Sequence, residues 1–287
     1  MIYVSSAASA KKRIGESVRE LAELGLTNIE LTGGTKYYDG YQEELQKLKE
    51  EFNLNYLVHN YFPPPDRPFV LNLASLNDDV YKKSIEHGCR AIALSKKLGA
   101  RQLGFHAGFF IDIRVKEIGQ KLTKDRLFDK KQAVERFCQA FSLLKDEAGD
   151  AIKLYVENNV FSQTNARTYE GENPFMVTHY EGYLELKKLM DFNLLLDVAH
   201  LKVSATSLGL DFEKELEKMI AVSDYIHLSE NDGLHDLNHG FLKNSDTLQK
   251  LKRYNFKQKT LTLEIYNQIR NTIGNYRVIK DMLFLTK

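Results

Sequence analysis

The sequence has few of the features that characterise secreted and membrane proteins. Its two cysteines, Cys89 and Cys138, fall in helix-like segments without the spacing of a disulfide framework or a cysteine metal site. We therefore interpret them as reduced packing residues. No apolar run approaches the length of a membrane span, and residues 1–12 lack the charged and apolar regions of a secretory signal. These absences predict a soluble, cytoplasmic protein with no membrane partner.

Excess charge of one sign is also lacking. The chain has 40 lysine and arginine residues against 39 aspartate and glutamate residues, which gives a formal net charge of +1. No overall field attracts the protein to nucleic acid, so a nucleic-acid partner is less expected, although a basic groove can exist in a neutral protein. The length of 287 residues and the apolar content of 43% suffice for a sizeable core.

What the sequence does contain is a repeated alternation of short apolar runs and longer helical patterns. The strand-like runs occupy residues 2–5, 28–32, 55–59, 102–106, 153–157, 193–197, 225–229 and 260–264. Between them, apolar residues recur at three- and four-residue spacing, most clearly in residues 11–25, 41–52, 78–99 and 130–149. No linker interrupts this alternation. It predicts an α/β fold, a single (β/α)₈ TIM barrel that forms one domain over residues 1–287.

The predicted strands end on a biased set of residues. In a barrel of this type, the carboxyl ends of the strands face one shared mouth. From the third strand to the eighth, each carries a histidine or a carboxylate at this end: His59, His106, Glu157, Asp197, His227 and Glu264. One polar residue at a strand end is ordinary, but six in succession indicate a site.

Carboxylates mixed with imidazoles are the usual ligands of a divalent transition metal such as Zn²⁺ or Mn²⁺. Four of these residues lie on successive strands, where a closed barrel can bring them around one ion without a local motif such as HExxH or CxxC. The four predicted metal ligands are Glu157, Asp197, His227 and Glu264. Such a site would be open on the solvent side, as a catalytic metal requires.

Further candidates lie at or just beyond the strand ends. The residues that could bind an additional metal or the substrate are His59, His106, His200, Asp236 and His239. Glu230, close after His227, and Asn158, next to Glu157, are predicted to bind substrate. We interpret the remaining histidines as surface, packing or loop residues: His87, His179 and His235.

Three loops at the same end of the barrel have distinctive compositions. The loop TGGTKYYDG, residues 32–40, contains paired glycines and Lys36; its backbone N–H groups could hold a substrate phosphate, although a flexible turn fits the pattern equally well. The segment YFPPPDRP, residues 61–68, predicts a stiff rim. Residues 158–182 form the best candidate for a lid.

The motifs VENN, LDVAH, IHLSEND and TLE, in this order, make the chain resemble the xylose isomerase-like barrel superfamily. The resemblance extends from NIELTGG to LTLEI. This superfamily includes sugar isomerases and epimerases, inosose dehydratases and endonuclease IV-type enzymes. The resemblance implies a catalytic divalent metal (Zn, Mn, Mg or Co) bound by Glu157, Asp197, His227 and Glu264.

The expected function is that of a divalent-metal-dependent isomerase or epimerase acting on a sugar, sugar phosphate or polyol. The metal would hold sugar oxygens and polarise a carbonyl, while Glu157 or Glu264 moves a proton between neighbouring carbons. The chain departs from the ketose 3-epimerase pattern at two positions. Gln163 stands where that pattern has Glu, and Gly233 stands where it has Arg.

The alternative is an endonuclease IV-like phosphodiesterase that cleaves DNA at abasic sites with a multinuclear zinc site. The chain resembles that branch at VH, FHAG, ENN, DVAH and HLSEND, but Asp236 is followed by Leu237 and Asn238 before His239, where that family has Asp-x-His. No basic, aromatic-rich loops for bending DNA are evident. A metal-assisted dehydratase or lyase and a non-catalytic metabolite-binding barrel also stay open. The resemblance allows a homo-oligomer, which no helix requires.

Overall fold

The computed structural model of the protein describes residues 1–284. Its strands are β1 (Ile2–Ser5), β2 (Asn28–Leu31), β3 (Asn55–His59), β4 (Gln102–His106), β5 (Lys153–Glu157), β6 (Asn193–Asp197), β7 (Ser223–Leu228) and β8 (Thr260–Leu263). They pair in parallel in chain order, and β8 returns to β1 through the pair Ile2 and Leu261. The predicted closed barrel is confirmed. The domain boundary of 1–287 stays a prediction, because residues 285–287 lie outside the described chain.

Helices connect the strands. Within residues 1–284 the α-helices are α1 (Ile14–Glu23), α2 (Tyr41–Phe52), α3 (Asp78–Leu98), α4 (Lys130–Ala148), α5 (Gln163–Thr168), α6 (Tyr180–Lys187), α7 (Val198–Leu208), α8 (Phe212–Val222), α9 (Asp246–Leu251) and α10 (Ile269–Phe284). The first four correspond to the predicted helical segments. Local signals set their ends: Asn77 Oδ1 accepts from the Asp79 N–H at 3.0 Å before α3, and Gly99 ends α3 with φ at +70°.

The seventh strand begins two residues before its predicted start. Ser223 and Asp224 are polar, so the apolar run does not include them. Ser223 is nevertheless buried, and its hydroxyl donates to the carbonyl oxygen of Leu194 at 2.8 Å. This bond ties β7 to β6 at the point where the pairing register between them shifts, next to Leu194.

Alternation along the strands places an apolar layer inside the barrel beneath the predicted site. The buried cluster in this layer is Tyr3, Leu57, Tyr155, Leu195 and Tyr225. Four of its members stand two residues before a strand-end histidine or carboxylate, and residues two apart on a strand share one face. The strand-end residues therefore lie above this layer, at the carboxyl end of the barrel.

The two cysteines and the predicted lid segment both lie partly within the packed interior. Cys89 in α3 and Cys138 in α4 are free and partly buried. Every helix within residues 1–284 is too short or too polar to span a bilayer. The segment proposed as a lid contains α5, and its Phe161 and Phe175 pack in a second buried cluster with Phe109. Movement of this segment stays a prediction.

Gly104 in β4 provides a test of interior packing. An added Cβ would lie 2.7 Å from Leu195 Cδ2 and 3.1 Å from His59 Cδ2. We expect Gly104→Ala to lower the free energy of unfolding by about 1–3 kcal/mol, measured by urea denaturation, because it overpacks the interior. Gly274→Ala in α10 is the control: its Cβ meets no atom of the described residues within 4 Å, and alanine should stabilise the helix by about 0.5–1 kcal/mol. Equal stability gains in both variants would contradict this packing.

Candidate metal centre

The four predicted metal ligands converge at the carboxyl ends of β5 to β8. One donor atom from each residue lies within 4.8 Å of the donor atoms of the other three, in the group Glu157, Asp197, His227 and Glu264. Each of these residues is at most 3% exposed. Side chains far apart in the sequence thus meet in one buried group, because neighbouring parallel strands end side by side.

Glu157 is shared between this group and two of the additional candidates. Its Oε2 lies 2.8 Å from His59 Nε2 and 3.2 Å from His106 Nδ1. His200 joins from the other side, with Nδ1 3.8 Å from Glu157 Oε1. A second group with metal-ligand spacing is therefore formed by His106, Glu157 and His200.

The turn after β6 fixes Asp197 and His200. Asp197 caps α7, because its Oδ1 accepts from the His200 N–H at 2.7 Å. Asn158 holds the Asp197 backbone on both sides: its Oδ1 accepts from the Asp197 N–H at 2.7 Å, and its Nδ2 donates to the Asp197 carbonyl at 3.0 Å. Asn158, predicted to bind substrate, is fully buried and holds the backbone of the candidate ligand Asp197.

The loop after β7 brings Asp236 to the site and leaves His239 outside. His200 Nδ1 donates to the Asn158 carbonyl at 2.9 Å, and Nε2 lies 3.4 Å from Asp236 Oδ2. The backbone of His239 pairs with that of Glu230 in an antiparallel bridge. This pairing leaves the His239 side chain exposed and the preceding Asn238 buried at the cavity wall. The structure therefore does not bring His239 together with the other candidate ligands.

Glu230 also lies apart from the predicted ligands. Its carboxylate accepts from Lys202 Nζ at 2.6 Å and from Thr247 Oγ1 at 2.9 Å, which connects α7 to α9. Ser245 Oγ donates to the other carboxylate oxygen. Glu230 was expected to touch substrate because it follows His227 closely, but these bonds give it a structural role.

Glu30 is a site residue that the sequence reasoning missed. It is fully buried in β2, and its Oε2 accepts from Thr262 Oγ1 at 3.0 Å and from the Tyr225 hydroxyl. The same oxygen lies 3.2 Å from His227 Nε2. If the proton of a neutral His227 ring is on Nε2, the unprotonated Nδ1 faces the carboxylates of Glu157 and Glu264. The available signal was a single charge between Ile29 and Leu31 in an apolar strand.

Tyr266 is a second missed residue. Its hydroxyl donates to Glu264 Oε1 at 2.7 Å, while Glu264 Oε2 lies 3.0 Å from His227 Nδ1. Tyr266 lines the cavity above the ligands and is 37% exposed. It stands two residues after Glu264 in the loop that follows β8, where no strand position predicts which way a side chain faces.

Burial and neighbouring charge set the protonation of these groups in opposite directions. Burial alone would raise the pKa of Glu157, but the imidazoles of His106 and His59 hold it well below its ordinary value. Burial likewise opposes the effect of His227, which lowers the pKa of Glu264 to about 2. Burial raises the pKa of Asp197 to about 7 and lowers the pKa of His106 to about 4. At neutral pH both glutamates are therefore charged.

The arrangement fits a divalent metal ion. Glu157 Oε1 and Asp197 Oδ2 are buried and accept no hydrogen bond within residues 1–284. Each such oxygen costs about 1–3 kcal/mol unless a partner offsets it. A cation between them would supply that partner, and three carboxylates with one imidazole are a donor set for Mn²⁺, Zn²⁺ and related ions.

Above the ligands the barrel opens into a cavity of about 1830 Å³. Its floor includes His59, His106 and His200, together with Asp236, Glu264 and Tyr266. The cavity therefore gives a small molecule access to the candidate metal centre from the carboxyl end of the barrel.

The bond between Glu30 and His227 predicts an effect on metal affinity. We expect Glu30→Gln to weaken Mn²⁺ binding by about 10–100-fold, the range typical when a ligating histidine loses its outer partner. Titration calorimetry measures this directly. Glu215→Gln is the control, since Glu215 is also buried but accepts from the Tyr180 N–H at 2.8 Å, away from the site. Wild-type affinity in a folded Glu30→Gln variant would contradict this role.

Metal binding should depend on pH. With its pKa raised to about 7, Asp197 holds a proton at lower pH, whereas a ligand must be deprotonated. The metal displaces that proton, so apparent affinity should fall by about tenfold for each pH unit below 7. Burial would lower the pKa of His227, but the charges of Glu30 and Glu264 raise it above its ordinary value. A proton on this imidazole therefore also weakens metal binding as the pH falls.

Calorimetry with Mn²⁺ between about pH 6 and pH 8, in two buffers of different ionisation enthalpy, measures the protons released on binding. Asp197→Asn should lose both the pH dependence that comes from this carboxyl and most of the affinity. Binding that is independent of pH across this range would contradict the raised pKa.

Comparisons with known proteins place this geometry in a wider group. A family model described as the xylose isomerase-like TIM barrel matches residues 18–285. No curated protein matches the chain by sequence. A D-tagatose 3-epimerase-like protein is a similar solved structure, with 19% sequence identity, a TM-score of 0.72, and coverage of 99% of this chain and 97% of that chain.

Two further structures represent both branches of the resemblance. D-psicose 3-epimerase from Clostridium cellulolyticum, solved with D-tagatose, is 13% identical with a TM-score of 0.66 and covers 98% of this chain and 99% of its own. Endonuclease IV from Thermus thermophilus is 17% identical with a TM-score of 0.62, covering 99% of both chains. At these identities the similarity shows the fold alone. The family model covers most of the sequence, and the chain therefore belongs to the xylose isomerase-like TIM barrel family.

Proposed function

We propose that the protein is a divalent-metal-dependent isomerase or epimerase that acts on a sugar or sugar phosphate. The observation that carries this proposal is that two glutamates, Glu157 and Glu264, lie in one group of candidate metal ligands, and that Glu264 lines the floor of an open cavity. Both have lowered pKa values and are charged at neutral pH, as a residue that accepts a proton must be. Similar structures include sugar 3-epimerases, which supports the same class.

A divalent metal held by Glu157, Asp197, His227 and Glu264 would supply charge that stabilises negative charge developing on a sugar carbonyl oxygen. Among the described residues, Glu157 Oε1 and Asp197 Oδ2 accept no hydrogen bond, so both oxygens are free to help hold such an ion. Glu30 would keep the His227 ring oriented through Nε2.

The chain's own residues provide the proton transfer. A carboxylate of Glu157 or Glu264 would remove the proton from the carbon next to the carbonyl. In isomerisation the same carboxylate would return it to the former carbonyl carbon, while the proton of the neighbouring hydroxyl passes to the carbonyl oxygen. In epimerisation the other glutamate, protonated from solvent, would deliver a proton to the opposite face of the first carbon. Tyr266, whose hydroxyl already donates to Glu264 at 2.7 Å, orients that carboxylate. The imidazoles of His59, His106 and His200 line the cavity and can bind sugar hydroxyls.

A second candidate function is hydrolysis of a phosphodiester at an abasic site in DNA. The observation that favours it is the overlap of three groups with metal-ligand spacing. Besides the two groups described above, which share Glu157, a third is formed by Glu30, His59 and His227 and shares His227 with the four predicted ligands. Asp236 extends this arrangement through its 3.4 Å contact with His200. Several ions could therefore bind side by side, as a multinuclear site requires.

For either function we propose a cytoplasmic location.

Proton exchange tests the first function. We expect the Mn²⁺-loaded protein to catalyse exchange of a carbon-bound hydrogen of a ketohexose or its phosphate with deuterium from D₂O, followed by NMR. Glu157→Gln and Glu264→Gln should each slow this exchange by about 10²–10⁴-fold, the usual contribution of a positioned acid or base. Glu86→Gln on the exposed surface of α3 is the control and should keep the wild-type rate.

Metal content and DNA cleavage test the second function. One metal per chain and no nicking of an abasic-site duplex are expected if the isomerase assignment is correct. Several zinc ions per chain, with nicking that Glu264→Gln abolishes, would overturn it in favour of the phosphodiesterase. Inductively coupled plasma mass spectrometry and a gel assay give these two readings.

A further inference from the structure

We propose that Lys11, Lys12 and Lys36, at the mouth of the cavity, form a binding site for a phosphate or diphosphate group carried by the sugar substrate. This inference rests on the proposed function and names the chemical class of its substrate. The three lysines line the same cavity as His106 and Glu264. A ligand could therefore reach the candidate metal with one end and the lysines with the other.

The loops that carry these lysines are held together. Lys11 and Lys12 lie between β1 and α1, Lys36 lies between β2 and α2, and β1 and β2 are neighbours in the barrel. The Lys36 N–H donates to the Lys12 carbonyl at 2.8 Å. Gly33 packs against the rim, where an added Cβ would lie 2.7 Å from Tyr61 Cβ. Backbone contacts therefore keep the three cations on one side of the mouth.

The ammonium groups of these three lysines form no ion pair with a carboxylate among the described residues. Within residues 1–284 none of the three ammonium groups has a carboxylate within 4.0 Å, and all three residues are exposed. By contrast, the adjacent Arg13 pairs with Glu44 at 3.7 Å and lies 4.1 Å from the centre of the Tyr38 ring.

Few carboxylates at the rim oppose these lysines. Glu117 accepts from Thr123 at 2.7 Å and from Arg114 at 3.2 Å, so its charge is already paired. Asp66 is the exposed carboxylate at the rim without such a partner among the described residues. Lys121, exposed in the segment before α4, also lines the cavity, so four lysines against this one free carboxylate leave the mouth positive, which favours a phosphate-type anion.

The size of the cavity also indicates a substrate longer than a single sugar ring. Its volume of about 1830 Å³ exceeds the roughly 300–1,000 Å³ of ordinary small-molecule sites. Tyr37, Val115 and Ile118 line its mouth and are 45–48% exposed. These apolar surfaces beside the lysines suit a substrate whose anionic group is joined to a further organic part.

Binding measurements separate the two sources of such an anion. Titration calorimetry of the Mn²⁺-loaded protein would compare D-fructose, D-fructose 6-phosphate and UDP-glucose at fixed ionic strength. We expect at least one phosphate-bearing ligand to bind about tenfold or more tightly than the neutral sugar. A gain with fructose 6-phosphate indicates a terminal sugar phosphate, and a gain only with UDP-glucose indicates a nucleotide-linked sugar.

The triple variant Lys11→Gln, Lys12→Gln, Lys36→Gln should lose this gain while its affinity for D-fructose stays unchanged. A matched variant, Lys82→Gln, Lys83→Gln, Lys131→Gln, removes the same charge from exposed positions of α3 and α4 and should keep the gain. Equal affinity for all three ligands in the wild type would overturn the proposal. So would an equal loss in both triple variants, which would indicate a nonspecific effect of net charge.

The same proteins distinguish failure of the site from failure of the proposed function. Deuterium exchange that proceeds without tighter binding of phosphate-bearing sugars overturns the lysine site and leaves the isomerase assignment intact. Tight, lysine-dependent binding without exchange on any ligand supports the lysine site and removes the isomerase assignment. If only an abasic-site duplex binds through these lysines, the sugar-anion site is overturned and the anion is a DNA phosphate.

Discussion

The structure depends on the neutralisation of negative charge inside the barrel. Glu30, Glu157, Asp197 and Glu264 are all buried, and an unpaired buried charge costs several kcal/mol. His227 offsets part of this cost, because one ring nitrogen lies 3.2 Å from Glu30 and the other 3.0 Å from Glu264. Three of their oxygens, Glu30 Oε1, Glu157 Oε1 and Asp197 Oδ2, still have no partner within the described residues. A divalent cation would complete the neutralisation, so the buried charges that destabilise the metal-free fold are also those that would favour the binding of a metal.

The apolar layer beneath the site contributes to the same balance. Tyr155 and Tyr225 are fully buried there and pack edge to face, with ring centres 5.1 Å apart. Such packing excludes water, and exclusion of water strengthens electrostatic interactions between the groups above. Tyr225 also links the two layers, since its hydroxyl donates to Glu30. The orientation of His227 is therefore coupled to the packing of the barrel interior through Glu30.

The sequence predicted the fold and the meeting of the four candidate metal ligands for one reason: in a parallel barrel, the carboxyl ends of successive strands lie side by side. That rule requires only the position of each strand, so Glu157 and Asp197 could be found without tertiary information. The rule fails for residues whose side-chain orientation is not set by their position at a strand end. Glu30 lies inside a strand, where one charge among apolar residues does not name its partner. His239 and Glu230 depend on the backbone pairing of a loop, which reverses the direction of adjacent side chains and is set by contacts distant in sequence.

The near-zero net charge conceals a division of charge within the cavity. The floor includes the carboxylate of Glu264, which lies in one group with Glu157, while the rim carries exposed lysines such as Lys12 and Lys36. In the metal-free protein, a sugar with an anionic group at one end would be repelled by the floor at that end and attracted by the rim. Its hydroxyl groups would then point toward the metal ligands. Such a gradient orients a substrate before any specific contact forms, and orientation is a large part of what an enzyme must supply when the reacting carbon is one of several similar carbons in a sugar.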